Sequence, residues 1–94
     1  MSLDGVRQRI MEIDEDIIML IAQRQQLAGR LVPLKHAMGL PIHDEIQKKR
    51  VLDHVFDVAV ESSVDPTRVQ EIFEILITMS EERQRECSGD GNLP

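Results

Sequence analysis

Apolar residues recur every seven positions from Leu3 to Met38. One series reads Leu3, Ile10, Ile17, Arg24, Leu31 and Met38, and the other reads Val6, Ile13, Leu20, Leu27 and Leu34; of these positions Arg24 alone is polar. A heptad seam held over about five repeats predicts a helix. At ~1.5 Å per residue that helix is ~50 Å long. A globule of 94 residues is roughly 30 Å across, so the helix must break or lie along another chain. Pro33 removes a backbone donor and crowds the preceding turn. The register nevertheless continues through Leu34 and Met38, which predicts a kink there and not a stop. Gly39-Leu40-Pro41 supplies the stop.

A second helix is expected from about Asp44 to Val60, with Val51, Leu52, Val55, Phe56, Ala59 and Val60 turned inward. Ser62-Ser63 reads as a short loop. Asp65 then reads as an N-cap with Pro66 in the first helical position, where its missing N–H costs nothing. The third helix carries Val69, Ile72, Phe73 and Leu76 inward, and Ile75, Ile77 and Met79 broaden the stripe. Residues 88–94, rich in Gly and small polar residues, are expected to form a flexible tail, leaving 1–87 as a single domain. No strand pattern or internal repeat is present. The fold class is all-α, with one very long helix and two shorter ones.

Composition sharpens this picture. The chain is 41% hydrophobic and 30% charged, too apolar for disorder, and it has no apolar run long enough to span a membrane. Asp4, Arg7 and Arg9 interrupt any signal-peptide core. The single Cys87 excludes an internal disulfide and a Cys-rich metal site, and it suits a reducing cytoplasm. A net charge of −6 with no Tyr or Trp argues against nucleic acid as a partner. Two Phe make a thin core for a monomer, and a seam shared between two chains would relieve that deficit.

Several polar residues stand where the pattern calls for apolar ones. Arg24 interrupts the long seam. An unpaired buried guanidinium is costly, so Arg24 either sets helix register by pairing with a Glu from a neighbour or faces a water-filled pocket. Lys35, eleven residues on, returns to nearly the same helical face, although a lysine near a helix end is more often solvated. Ser80 and Gln84 continue the third stripe at i, i+4 spacing, either as hydrogen-bonding groups in a site or as a stripe fading into solvent. Arg7 adjoins the seam and, in the plainer reading, pairs with Asp4 or Asp14. His36, His43 and His54 share no ligand spacing, so no metal site is expected. Cys87 has no evident base nearby and reads as an inert thiol.

The order Val6-Arg7-Gln8-Arg9-Ile10, Ile13-Asp14, Leu20-Ile21-Ala22-Gln23-Arg24, Lys35 and Pro41-Ile42-His43-Asp44, followed by Ile72-Phe73-Glu74-Ile75-Leu76-Ile77, Ser80 and Gln84, resembles the all-helical chorismate mutases of the AroQ class. The likeness covers roughly residues 3 to 85. It implies an intertwined homodimer of three-helix protomers with two active sites, each drawing on both chains. It also implies rearrangement of chorismate to prephenate, in the Phe and Tyr branch of aromatic amino-acid biosynthesis, without a metal or organic cofactor. Carried over by position, Arg24 binds one carboxylate of the dianionic substrate and the partner's Arg7 binds the other. Lys35 and Gln84 sit at the ether oxygen, Asp44 lies near the ring hydroxyl, and Ser80 lines the carboxylate side.

Two departures bear on the site. Gln47 and Lys48 stand where the family usually has Arg-Glu, whose Glu accepts a hydrogen bond from the substrate hydroxyl. A charged Lys48 cannot accept one. Glu45, three residues earlier on the same face, is the expected substitute if the helix start shifts. Pro33, two residues before Lys35, is expected to re-aim that lysine. The alternative functions are an isochorismate pyruvate-lyase-like enzyme, which uses similar cationic clamps, and a non-catalytic helical dimerisation module.

Overall fold

A computed structural model describes residues 2–89, which form three helices: α1 (Leu3–Met38), α2 (Glu45–Glu61) and α3 (Pro66–Ser88). Met1 and residues 90–94, which hold most of the expected tail, lie outside the described residues. Among the described residues there is no strand.

Each helix begins on a side-chain cap. The Ser2 hydroxyl accepts from Gly5 N at 2.9 Å, Asp44 Oδ1 accepts from Gln47 N at 3.1 Å, and Asp65 Oδ1 accepts from Thr67 N at 3.0 Å and Arg68 N at 3.3 Å. These bonds occupy first-turn donors that have no partner inside the helix. α1 ends at Gly39, whose φ of 66° is the left-handed conformation that favours glycine. There Leu40 N donates to Lys35 O at 2.8 Å and Gly39 N to His36 O at 3.2 Å. Helical assignment continues through Pro33 to Met38, so the proline does not end α1.

α3 packs against both α1 and α2, while α1 and α2 make no comparable contact with each other. Arg24, Gln25 and Lys35 of α1 meet Leu76, Met79 and Gln84 of α3 in rising order, so these two helices run in the same direction. α2 returns antiparallel to α3, with Gln70 Nε2 donating to Leu52 O at 3.1 Å. Buried Val55 and Ala59 mark the α2 contact and buried Ala28 marks the α1 contact. Small residues there let helix axes approach closely.

The α1 face that meets α3 is Ile21, Arg24, Gln25, Ala28, Gly29, Val32 and Lys35. It overlaps the heptad seam at Arg24 alone. Ile10, Ile13, Ile17, Leu20, Leu27, Leu31 and Leu34 are exposed, as is every residue of α1 before Ile21. Phe56, Val60 and Ile72, expected inward, are also exposed, Ile72 by 55%. Each flanking helix has a single neighbour in the chain, so a narrow stripe is all that it can cover. The chain measures 53 × 29 × 19 Å with a radius of gyration of 16.5 Å, against ~12 Å for a compact chain of this length.

Candidate active site

Arg24, Lys35, Asp44, Gln47, Lys48, Ser80 and Gln84 line one cavity of about 230 Å³, together with Leu31, Ile42, Val51, Ile77 and Glu81. All three helices and the α1–α2 loop contribute. Arg24 and Lys35 lie on the α3-facing side of α1. Asp44, Gln47 and Lys48 come from the capped start of α2. Ser80, Glu81 and Gln84 come from one side of α3.

Gln84 is 3% exposed, and its amide orientation follows from its neighbours. The Lys35 ammonium is a pure donor, so the Gln84 atom 2.8 Å from Lys35 Nζ is Oε1. Nε2 is then the donor, 3.2 Å from Ser80 Oγ. Lys35 Nζ also donates to Ile42 O at 2.8 Å, which ties the lysine to the α1–α2 loop. Pro33 therefore does not turn Lys35 away from the cavity.

Arg24 NH1 donates to Leu76 O at 3.0 Å. Burial lowers its pKa from the ordinary value, but a guanidinium remains charged in proteins. Among the described residues it forms no ion pair with a carboxylate of its own chain. A half-buried guanidinium with one carbonyl partner retains further N–H donors aimed at planar anions.

Glu45 does not take the role suggested for it. α2 starts with Asp44 as its cap and shows no shift. The Glu45 carboxylate is 75% exposed and accepts from His43 Nε2 at 2.6 Å, outside the cavity. Arg7 lies on the exposed half of α1, 17 residues before Arg24 and thus ~25 Å along the helix axis. It does not line the cavity of its own chain.

Two residues missed from the sequence are Glu81 and His43. Glu81 Oε1 lies 2.6 Å from His43 Nδ1, and its side chain is 17% exposed. Its signal was available: Glu81 follows Ser80 and precedes Gln84 by three, on the same inward side of α3. His43 carried none, because its partner is 38 residues away. With both ring nitrogens at carboxylates, His43 has its pKa raised above 6.5, first by the Glu81 hydrogen bond and then by that of Glu45. The imidazolium thus favours the folded chain fully below pH 6.5, and that contribution disappears as pH rises through the raised value. By NMR, the His43 ring is expected to titrate above 6.5 and to move down in a Glu81→Gln variant, with Glu45 and Arg85 as the remaining charged neighbours. A midpoint unchanged by that substitution would show that the bridge does not form in solution.

Among the described residues no three His, Cys, Asp or Glu side chains group to hold a metal, and no helix is long and apolar enough to cross a membrane. Fold and cavity define a helical protein with a small pocket in which four aliphatic residues sit among polar ones and the cations Arg24, Lys35 and Lys48 outnumber the carboxylates Asp44 and Glu81, a site suited to a compact anion. Residues 6–85 match the family model described as chorismate mutase type II. A chorismate mutase of Methanocaldococcus jannaschii is 35% identical over 85 residues, covering 90% of this chain and 86% of that relative. The chain belongs to the type II chorismate mutase family, a family of isomerases.

Proposed function

We propose that the protein catalyses the Claisen rearrangement of chorismate to prephenate, in the Phe and Tyr branch of aromatic amino-acid biosynthesis. The observation that carries this reading is the convergence of Lys35 and the buried Gln84 amide in one cavity with Arg24. The reaction breaks a C–O bond and forms a C–C bond within one molecule, so it needs neither a nucleophile nor a general base. Catalysis can come from holding the enolpyruvyl arm over the ring and from donors placed where charge builds on the ether oxygen. Arg24 suits the first task by clamping a carboxylate. The Lys35 ammonium and Gln84 Nε2 suit the second.

The active form is an intertwined homodimer. Exposed Ile and Leu along α1 each gain about 1.5–3 kcal/mol when fully buried, and the seam offers a long row of them. The cavity adjoins a groove of about 470 Å³ lined by Leu27, Ala28, Leu31 and Leu34, and Arg24, Leu31 and Ser80 border both. A second chain on the seam would therefore close the site as well as the core, and an antiparallel α1 would bring the partner's Arg7 to it. Residues 1–87 form the catalytic domain, and the free thiol of Cys87 suits the cytoplasm.

The test is product identification from pure protein given chorismate or isochorismate. Prephenate from chorismate is the expected result. Pyruvate and salicylate from isochorismate would assign a lyase instead, and no product from either would leave a binding module.

A further inference from the structure

We propose that Glu81 is the acceptor for the ring hydroxyl of the substrate, and that it fixes which end of the molecule faces α2. The inference rests on chorismate as the substrate. Chorismate presents two carboxylates and an ether oxygen, all acceptors, and a single hydrogen-bond donor, its hydroxyl. The cavity is matched to the acceptors: Arg24, Lys35 and Lys48 are donors without acceptor capacity, and the Gln84 amide turns its oxygen to Lys35 and keeps Nε2 to donate.

The lone donor of the substrate needs an acceptor among the remaining lining groups. Asp44 Oδ1 is engaged by Gln47 N as the cap of α2. Glu45 faces solvent, and Ser80 Oγ accepts from Gln84. Asp44 Oδ2 and the Gln47 amide oxygen are further acceptors, one on the residue that caps α2 and the other on an exposed side chain; Glu81 is a mostly buried carboxylate on the α3 wall of the cavity and caps no helix. Its Oε1 meets His43, while Oε2 has Arg85 at 3.9 Å, an ion-pair distance too long for a hydrogen bond. Oε2 thus keeps acceptor capacity. His43 directly precedes Asp44, so the Glu81 carboxylate lies at the α2 end of the cavity. A carboxylate there repels the carboxylates of the substrate and accepts its hydroxyl, which aligns the dianion with its charges toward Arg24.

The experiment compares Glu81→Gln and Glu81→Ala with the wild type on chorismate and on the analogue lacking the ring hydroxyl. Glu45→Gln, which cuts the other carboxylate of His43, is the control, and circular dichroism checks the helicity of every variant. On chorismate, kcat/KM is expected to fall roughly 10–100-fold for both Glu81 variants, the range for a hydrogen bond to a charged group, and to hold in Glu45→Gln. On the analogue, Glu81 variants and wild type should agree within about threefold. Equal losses on both substrates, or no loss on chorismate, would overturn the role of Glu81. A wild type that forms no prephenate would overturn the substrate itself, and the inference with it.

Discussion

Replacing Lys35 or Gln84 by alanine is expected to lower kcat for chorismate by about 10²–10³, the usual consequence of removing one fixed donor from a developing oxyanion. The two losses should be far from additive, because Lys35 Nζ holds Gln84 Oε1 at 2.8 Å and so presents Nε2 as the donor. Gln84→Glu separates charge from shape. An ionised Glu at this position keeps the contact with Lys35 but sets an acceptor against the ether oxygen. Its rate should therefore rise as pH falls through the ordinary carboxylate range near ~4, while the wild type shows no such rise. A Gln84→Glu enzyme as fast as wild type at neutral pH would remove Gln84 from the ether oxygen. Steady-state rates of chorismate loss across pH make the measurement.

The second large effect concerns Arg7 and Arg24. Each single alanine variant should lose most activity, since a small dianion bound at Arg24 cannot reach an arginine ~25 Å along the same helix and must take its second clamp from another chain. Mixing the two inactive variants should restore activity. In a dimer formed by random exchange, half of the molecules are mixed, and each mixed dimer holds one intact site and one doubly altered site. Recovery should therefore approach about a quarter of the wild-type site population. Native mass spectrometry can verify the mixed dimers, and an absence of recovery in their presence would mean that the two arginines do not share a site.

Much of this molecule was legible in the residue order. The start near Asp44, the cap at Asp65 and the Gly39 stop came from local chemistry that acts within four residues. The long seam was visible because a period of seven needs no tertiary information. Arg24, Ser80 and Gln84 stood out as polar interruptions of apolar stripes, and Lys35 as a return to the helical face of Arg24. Pairings across the chain were not legible. The His43–Glu81 contact spans 38 residues and leaves no periodic trace. The suggested rescue by Glu45 rested on helical spacing alone, and a cap at Asp44 with His43 beside it turned Glu45 outward.

The thin core shows where the division falls. Sequence alone determined that three helices form, where they begin and end, and that α1 carries more apolar surface than one small chain can cover, because helix propensity, capping and periodicity are local. The tertiary structure decided which side of α1 meets α3. Small residues at Ala28 and Gly29 allow close approach there, and the Leu and Ile of the seam remain outside. That choice places Arg24 and Lys35 at the border between the contact with α3 and the open seam, where side chains from three helices can converge. Side-chain convergence depends on crossing geometry, and no spacing along one helix encodes it.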